Sequence, residues 1–131
     1  MLKIIIASGP VIVENGKVLL NKHGDDNFWK FCGGKVEDYN TNLADNAKRE
    51  VKEEMGIDID VLDKKPYIMH ITKETPDGDM DIILVHFLAK RIGEINPGAD
   101  IREWNWFDIS DLPKDLAPNI KPVLEHFKNS L

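Results

Sequence analysis

Cysteine is nearly absent. Cys32 is the single one in 131 residues, so no disulfide can form within the chain, and the usage fits a reducing compartment. A basic excess is absent too. Seventeen Lys and Arg face 23 Asp and Glu, a net charge of −6. That argues against nucleic-acid polymers as partners, because binding them needs cations to neutralise phosphates. A small nucleotide held through metal ions remains compatible with it. A long apolar run is also lacking. The N-terminal MLKIIIASGPVIV is broken at Gly9-Pro10, is too short to span a membrane and carries no clear cleavage site. It reads as strand, and the protein as cytoplasmic with no membrane partner. No repeat, low-complexity tract or linker divides the chain, so residues 1–131 are expected to form one domain, monomeric or homodimeric.

What is present concentrates in residues 33–57, GGKVEDYNTNLADNAKREVKEEMGI. A glycine-paired loop here becomes a charged helix. Asn42 is a natural helix cap, with Asp45 three residues on to favour the exposed amides of the first turn. Gly56 sits where a helix leaves through a left-handed residue. Leu43, Ala47, Val51 and Met55 recur every four residues and give one apolar face. Beside it lie Glu50, Glu53 and Glu54, within roughly a third of the helix circumference.

Spacing supports two readings of these glutamates. On a solvated helix they are an acidic face, costing about 0.2–0.5 kcal/mol per like-charge pair. In a cleft, two such charges about 5 Å apart repel by roughly 3 kcal/mol at an effective dielectric near 20. A hard divalent cation, Mg²⁺ or Mn²⁺, would relieve that. Arg49 is placed to orient a carboxylate by paired hydrogen bonds.

The order Arg49-Glu50-Val51-Lys52-Glu53-Glu54-Met55-Gly56-Ile57 matches the second half of the Nudix box, R-E-U-x-E-E-x-G-U with U aliphatic. Gly33-Gly34-Lys35-Val36-Glu37 matches the usual entry into that box. The chain thus resembles the Nudix hydrolases, over nearly its whole length. The resemblance implies the metal reading, with Mg²⁺ or Mn²⁺ as cofactor and Glu53 and Glu54 as ligands. Glu50 would be a further ligand or the base, and Arg49 would orient a carboxylate. Backbone amides near Gly33 and Gly34, with Lys35, would position phosphate. In several members the base comes from a loop outside the box; the candidates here are Glu74, Asp79, Asp100 and Glu103, of which Glu103 is favoured. One departure stands out. The family's upstream glutamate falls on Thr41, and the span from Gly34 to Arg49 is one residue longer than the pattern. Glu37 or Asp38 would have to replace that carboxylate, and altered loop geometry is expected rather than lost chemistry.

Along the chain, residues 2–8 read as a buried strand, Gly9-Pro10 as an interruption, and Asn15-Gly16 as a hairpin turn between Val11–Glu14 and Lys17–Lys22. Trp29 and Phe31 read as core or loop anchors, and Cys32 as buried filler. Further strands are expected at Asp58–Asp63, Lys65–Thr75, Asp81–Arg91 and Glu103–Asp108, and a closing helix at Pro118–Phe127 with Pro122 in its first turn. His70 and His86 are weak metal candidates, better read as sheet-edge or hydrogen-bonded core residues. Hairpins without regular βαβ alternation argue for an α/β domain with a mixed sheet, which the resemblance sharpens to a Nudix α/β/α sandwich.

The segment Leu116–Leu124 resembles the C-terminal part of MutT-type members, where a polar residue before the last helix reads the base. Asn119 is therefore either a purine reader, through its donor and acceptor, or simply the helix cap. The expected activity is hydrolysis of (deoxy)nucleoside triphosphates to monophosphate and pyrophosphate. Cleavage of ADP-ribose or a nucleotide sugar, and non-catalytic nucleotide sensing, are the alternatives.

Overall fold

The computed structural model describes residues 3–62 and 65–131. Its organising hairpin follows from two residues. Asn15 and Gly16 take φ 51° and 76°, the left-handed pair of a type I′ turn whose twist matches the strands it joins. It connects β1 (Lys3–Glu14) to β2 (Lys17–His23), with Val13 opposite Val18. Strand β1 then runs parallel to β6 (Gly78–Ile92), from Lys3 opposite Met80 to Ile12 opposite Ala89.

The remaining strands are antiparallel. A short β3 (Gly34–Lys35) pairs with β1, β4 (Asp58–Val61) and β5 (Tyr67–Thr75) pair with β6, and β7 (Ile101–Asp108) pairs with β2. The sheet is mixed, in the order β4-β6-β1-β2-β7. Helices α1 (Leu43–Met55) and α2 (Ile120–Phe127) complete the domain. None of the helices among the described residues is long and apolar enough to cross a membrane.

Alternation along the strands places the two helices on opposite faces. Val11, Val18, Leu20 and Leu88 pack with Ile120, Val123, Leu124 and Phe127 of α2. Their neighbours Ile12, Leu19 and Ala89 pack with Val51 and Met55 of α1. The result is the expected α/β/α sandwich, with α1 laid across β1 and β6.

Three expectations need adjustment. Gly9-Pro10 does not interrupt β1. Pro10 lies opposite Phe87 of β6, and on the other edge it falls between the β3 pairing at Ser8 and the β2 pairing at Val13. A residue without an amide hydrogen is tolerated in such a gap. The strand expected at Asp58–Asp63 ends at Val61, and Asp63 lies outside the described residues. The closing helix begins at Ile120 rather than Pro118, which keeps Pro122 within the first turn.

Candidate active site

Helix α1 carries the site, and its ends form as the sequence anticipates. The Asn42 side chain accepts from the Asp45 amide at 2.8 Å. Gly56 leaves the helix at φ 69°, and its N–H donates to the Lys52 carbonyl. The apolar face buries Ala47, Val51 and Met55. It also buries Asn46, which sequence periodicity did not single out. The Asn46 amide donates to Ser8 Oγ at 2.8 Å and to the Gly34 carbonyl at 3.1 Å. Ser8 Oγ in turn donates to the Leu43 carbonyl at 2.8 Å. Asn46 Oδ1 accepts from the Arg49 guanidinium at 2.8 Å. A buried polar clamp therefore ties the glycine loop to the helix and aims Arg49.

Arg49 reaches two glutamates. It donates to Glu50 Oε1 at 2.9 Å and to both oxygens of Glu53, at 3.1 and 3.2 Å. Glu53 is mostly exposed, Glu50 largely buried and Glu54 almost fully buried. Glu54 Oε1 accepts the Gly33 amide hydrogen at 2.8 Å, while Oε2 lies 2.5 Å from His23 Nε2. That last contact is close but poorly aligned, and Nε2 has no well-directed hydrogen bond. Nothing in the sequence singles out His23; only β2 ending beside α1 reveals it. Burial raises the Glu50 carboxyl above the ordinary range. Glu54 and Glu53 add to the rise, and Arg49 opposes it.

The glycines are demanded by close approach. A Cβ at Gly34 would stand 2.3 Å from the Glu50 carboxylate, and one at Gly9 would stand 2.0 Å from the Cys32 carbonyl oxygen. Gly33 has φ 145°, where a side chain is strained. Backbone and carboxylates thus meet at distances a larger residue would forbid. Cys32 is buried filler, as expected, and burial together with Glu54 pushes its thiol well up, so it remains protonated.

The donor set suits a hard divalent cation: carboxylate oxygens only, with Glu50 raised by burial and by two glutamate neighbours against the pull of Arg49. Among the described residues no three acidic, His or Cys side chains converge into a ready coordination set. Arg49 holds the Glu53 carboxylate to itself.

A cavity of about 770 Å³ opens beside the glycine pair, lined by Gly33, Gly34, Phe28, Lys30, His86 and Asn119 among others. A hollow of similar volume lies at the start of α1, lined by Tyr39, Asn42 and Lys48. It does not include the glycine pair, whereas the first cavity does, and it is through Gly33 and Gly34 that the first cavity meets the Glu54 and Glu50 carboxylates.

The cavity sorts the remaining candidates. Asn119 lines it and makes no side-chain cap, which removes the helix-cap reading. Its Nδ2 lies 2.9 Å from His86 Nε2. Lys35 is exposed opposite Ala7 and does not line the cavity; Lys30 does, with its ammonium 2.9 Å from Asp26. Glu103 is not brought to the glutamates. It lies opposite Lys22, 3.7 Å from the ammonium that covers Trp29 on the α2 face, and 3.5 Å from Arg102. Glu74 lines the cavity from β5, facing Asp79 across the β5–β6 ladder, and the Asp100 carbonyl accepts from Gly24. His70 pairs with Asp81 at the exposed edge, apart from buried His86. In the lengthened loop Asp38 accepts from the Asn40 amide at 2.9 Å and from the Thr41 hydroxyl at 3.3 Å, so it braces the turn around Thr41.

A helix with this glutamate pattern, capped over a glycine pair and laid on a mixed sheet, defines a Nudix architecture. The family model for the NUDIX domain matches residues 5–127, and the chain belongs to the Nudix hydrolase family. It is 33% identical over 93 residues to the oxidized purine nucleoside triphosphate hydrolase of Mus musculus, covering 70% of this chain and 56% of that protein. It is 29% identical over 130 residues to the ADP-ribose pyrophosphatase of Methanocaldococcus jannaschii, covering 94% of this chain and 73% of that one. The fold matches the crystal structure of a MutT NUDIX hydrolase from Burkholderia pseudomallei with a TM-score of 0.76, at 24% identity and 94% and 97% coverage.

Proposed function

We propose that the chain is a metal-dependent nucleotide pyrophosphohydrolase that converts (deoxy)nucleoside triphosphates to monophosphate and pyrophosphate. The observation that carries this reading is the cavity that joins Gly33-Gly34, whose backbone meets the Glu54 and Glu50 carboxylates, to Asn119. Its volume is that of a small-molecule site. The glycine end suits phosphates and the Asn119 end suits a base.

Glu53 and Glu54 would hold Mg²⁺ or Mn²⁺, with Glu50 as further ligand or as acceptor of the water's proton. Such an ion supplies charge stabilisation at the phosphoryl oxygens and lowers the pKa of bound water. The other parts belong to the chain. The Gly33 N–H fixes Glu54 through Oε1. Asn46 and Arg49 hold Glu50 over Gly34. Lys30 adds a cation beside the glycine pair for phosphate. Water forms the new P–O bond, the P–O bond to the bridging oxygen breaks, and the pyrophosphate departs with those electrons. The relative named as an oxidized purine nucleoside triphosphate hydrolase supports a triphosphate substrate. The relative named for ADP-ribose, which spans more of this chain, supports the second reading.

A phosphate-release assay with a panel of triphosphates and added pyrophosphatase tests the proposal, run with Mg²⁺, Mn²⁺ or EDTA. Metal-dependent cleavage, reduced by at least about a hundredfold in Glu53→Gln, is expected, as for loss of a group that stabilises transition-state charge. Turnover retained within a few-fold by that variant at saturating Mg²⁺ would sink the ligand assignment. Cleavage confined to ADP-ribose or nucleotide sugars would replace the substrate.

A further inference from the structure

We propose that His86 is a positioning residue for base selection. Its Nε2 accepts one N–H of Asn119 and so holds the amide in a single orientation, with Oδ1 and the second N–H left for the nucleoside. This rests on the reading of the cavity as a nucleotide site.

The hydrogen-bond partners leave little freedom. His86 is 4% exposed. Its Nδ1 lies 3.0 Å from the Tyr67 carbonyl oxygen, which can only accept, so Nδ1 carries the proton. Burial holds the imidazole below its ordinary range and therefore neutral near pH 7. Nε2 then presents a lone pair, and the atom 2.9 Å away must be a donor: Asn119 Nδ2, not Oδ1. Phe31 lies edge-on to the imidazole at 5.7 Å between centroids, with the Tyr67 ring at 6.3 Å. Both restrain the ring.

An unrestrained asparagine amide presents donor and acceptor in either order and reads little. Held one way, it distinguishes bases by which atom is exocyclic. Hypoxanthine and guanine offer an exocyclic acceptor beside a ring N–H; adenine offers an exocyclic donor beside a ring lone pair. The fixed amide suits one arrangement and opposes the other with like groups, so Asn119 discriminates 6-keto from 6-amino purines only while His86 holds it. Tyr67, which starts β5, therefore takes part in specificity through its backbone carbonyl.

ITP and ATP differ only at these two atoms and are the probes. With Mg²⁺-loaded protein, the wild type should favour one over the other in kcat/KM by about 5- to 150-fold, the range of a good bidentate base contact. His86→Phe, which keeps a flat ring but no acceptor, should bring that ratio close to unity. His86→Gln, which restores an acceptor near the position of Nε2, should recover most of it. The dissociation constants of IMP and AMP read the same contrast without turnover. In wild-type protein, ¹⁵N spectra of the imidazole should show the proton on Nδ1.

The inference is overturned by a wild-type ratio near unity or by a proton found on Nε2. It is also overturned if His86→Phe keeps the wild-type ratio while Asn119→Ala loses it, an outcome that leaves the nucleotide-site reading intact. A ratio unchanged in Asn119→Ala as well would remove Asn119 as the base reader and this inference with it, while absence of both turnover and IMP or AMP binding would remove the nucleotide-site reading. Should His86→Phe fail to fold, the tautomer and a wild-type ratio in His86→Gln decide: both support the assignment, and the loss of either overturns it.

Discussion

At the scale of single residues, the site is built from groups whose neighbours remove their choices. Glu54 has one oxygen on a backbone amide and the other against His23. Arg49 is divided between Asn46, Glu50 and Glu53. His86 spends both ring nitrogens, and its burial has a consequence for stability that can be signed. A histidine whose folded pKa is depressed binds fewer protons folded than unfolded, so stability rises with pH until the unfolded value is passed. The contribution is fully present above about 6.5, its ordinary value, and is lost as pH falls below it. The difference in unfolding free energy between wild type and His86→Phe, followed by urea titration from pH 8 to 5, should therefore shift toward the variant below about pH 6.5. A difference independent of pH would mean that the imidazole is not held neutral. The glutamates of the box were legible in the sequence because their spacing is local. Asn46 and His23 were not, since nothing in their neighbourhood along the chain shows what the fold brings against them.

At the scale of elements, α1 is the part the sequence described most completely, through its cap, its apolar period and its exit. The exit is the stricter end. Gly56 has φ 69°, and a Cβ there would also stand 2.8 Å from the Asn96 carbonyl oxygen. Left-handed backbone alone costs about 1–2 kcal/mol for a residue with a Cβ, and the Asn96 approach adds to it. Gly56→Ala should accordingly lower the urea midpoint more than Asn42→Ala, whose lost cap costs about 1 kcal/mol. Equal midpoints would mean that the segment after the helix yields freely. Strand β1 shows the opposite case. Gly9-Pro10 is a breaker by local rules, yet ten consecutive pairings with β6 carry the strand through it. Long-range pairing outweighed local preference. Register likewise decided where Glu103 lies. Its position in sequence allowed a role, but its register opposite Lys22 put it on the α2 face.

At the scale of the whole molecule, an acidic chain of net charge −6 concentrates repulsion where three carboxylates crowd α1, against the glycine loop. Mg²⁺ should therefore stabilise the fold. At a hundredfold excess over Kd the gain is about 2.7 kcal/mol, or roughly 5–10 °C in Tm for a domain of this size. Scanning fluorimetry with Mg²⁺ against EDTA would show it, and Glu53→Gln should lose most of the shift. An equal shift in wild type and variant would place the ion elsewhere.

The sequence by itself determined the box helix, its caps, the Asn15-Gly16 hairpin and the three glutamates, because each depends on residues within a few positions of one another. Only the tertiary structure decided which groups share a cavity. Asn119 meets His86, Gly34 takes Glu50 against its backbone, and His23 reaches Glu54. These contacts span 33, 16 and 31 positions along the chain. They exist because strands β2 and β6 and the segment before α2 are gathered around β1, a packing outcome that local propensity does not encode.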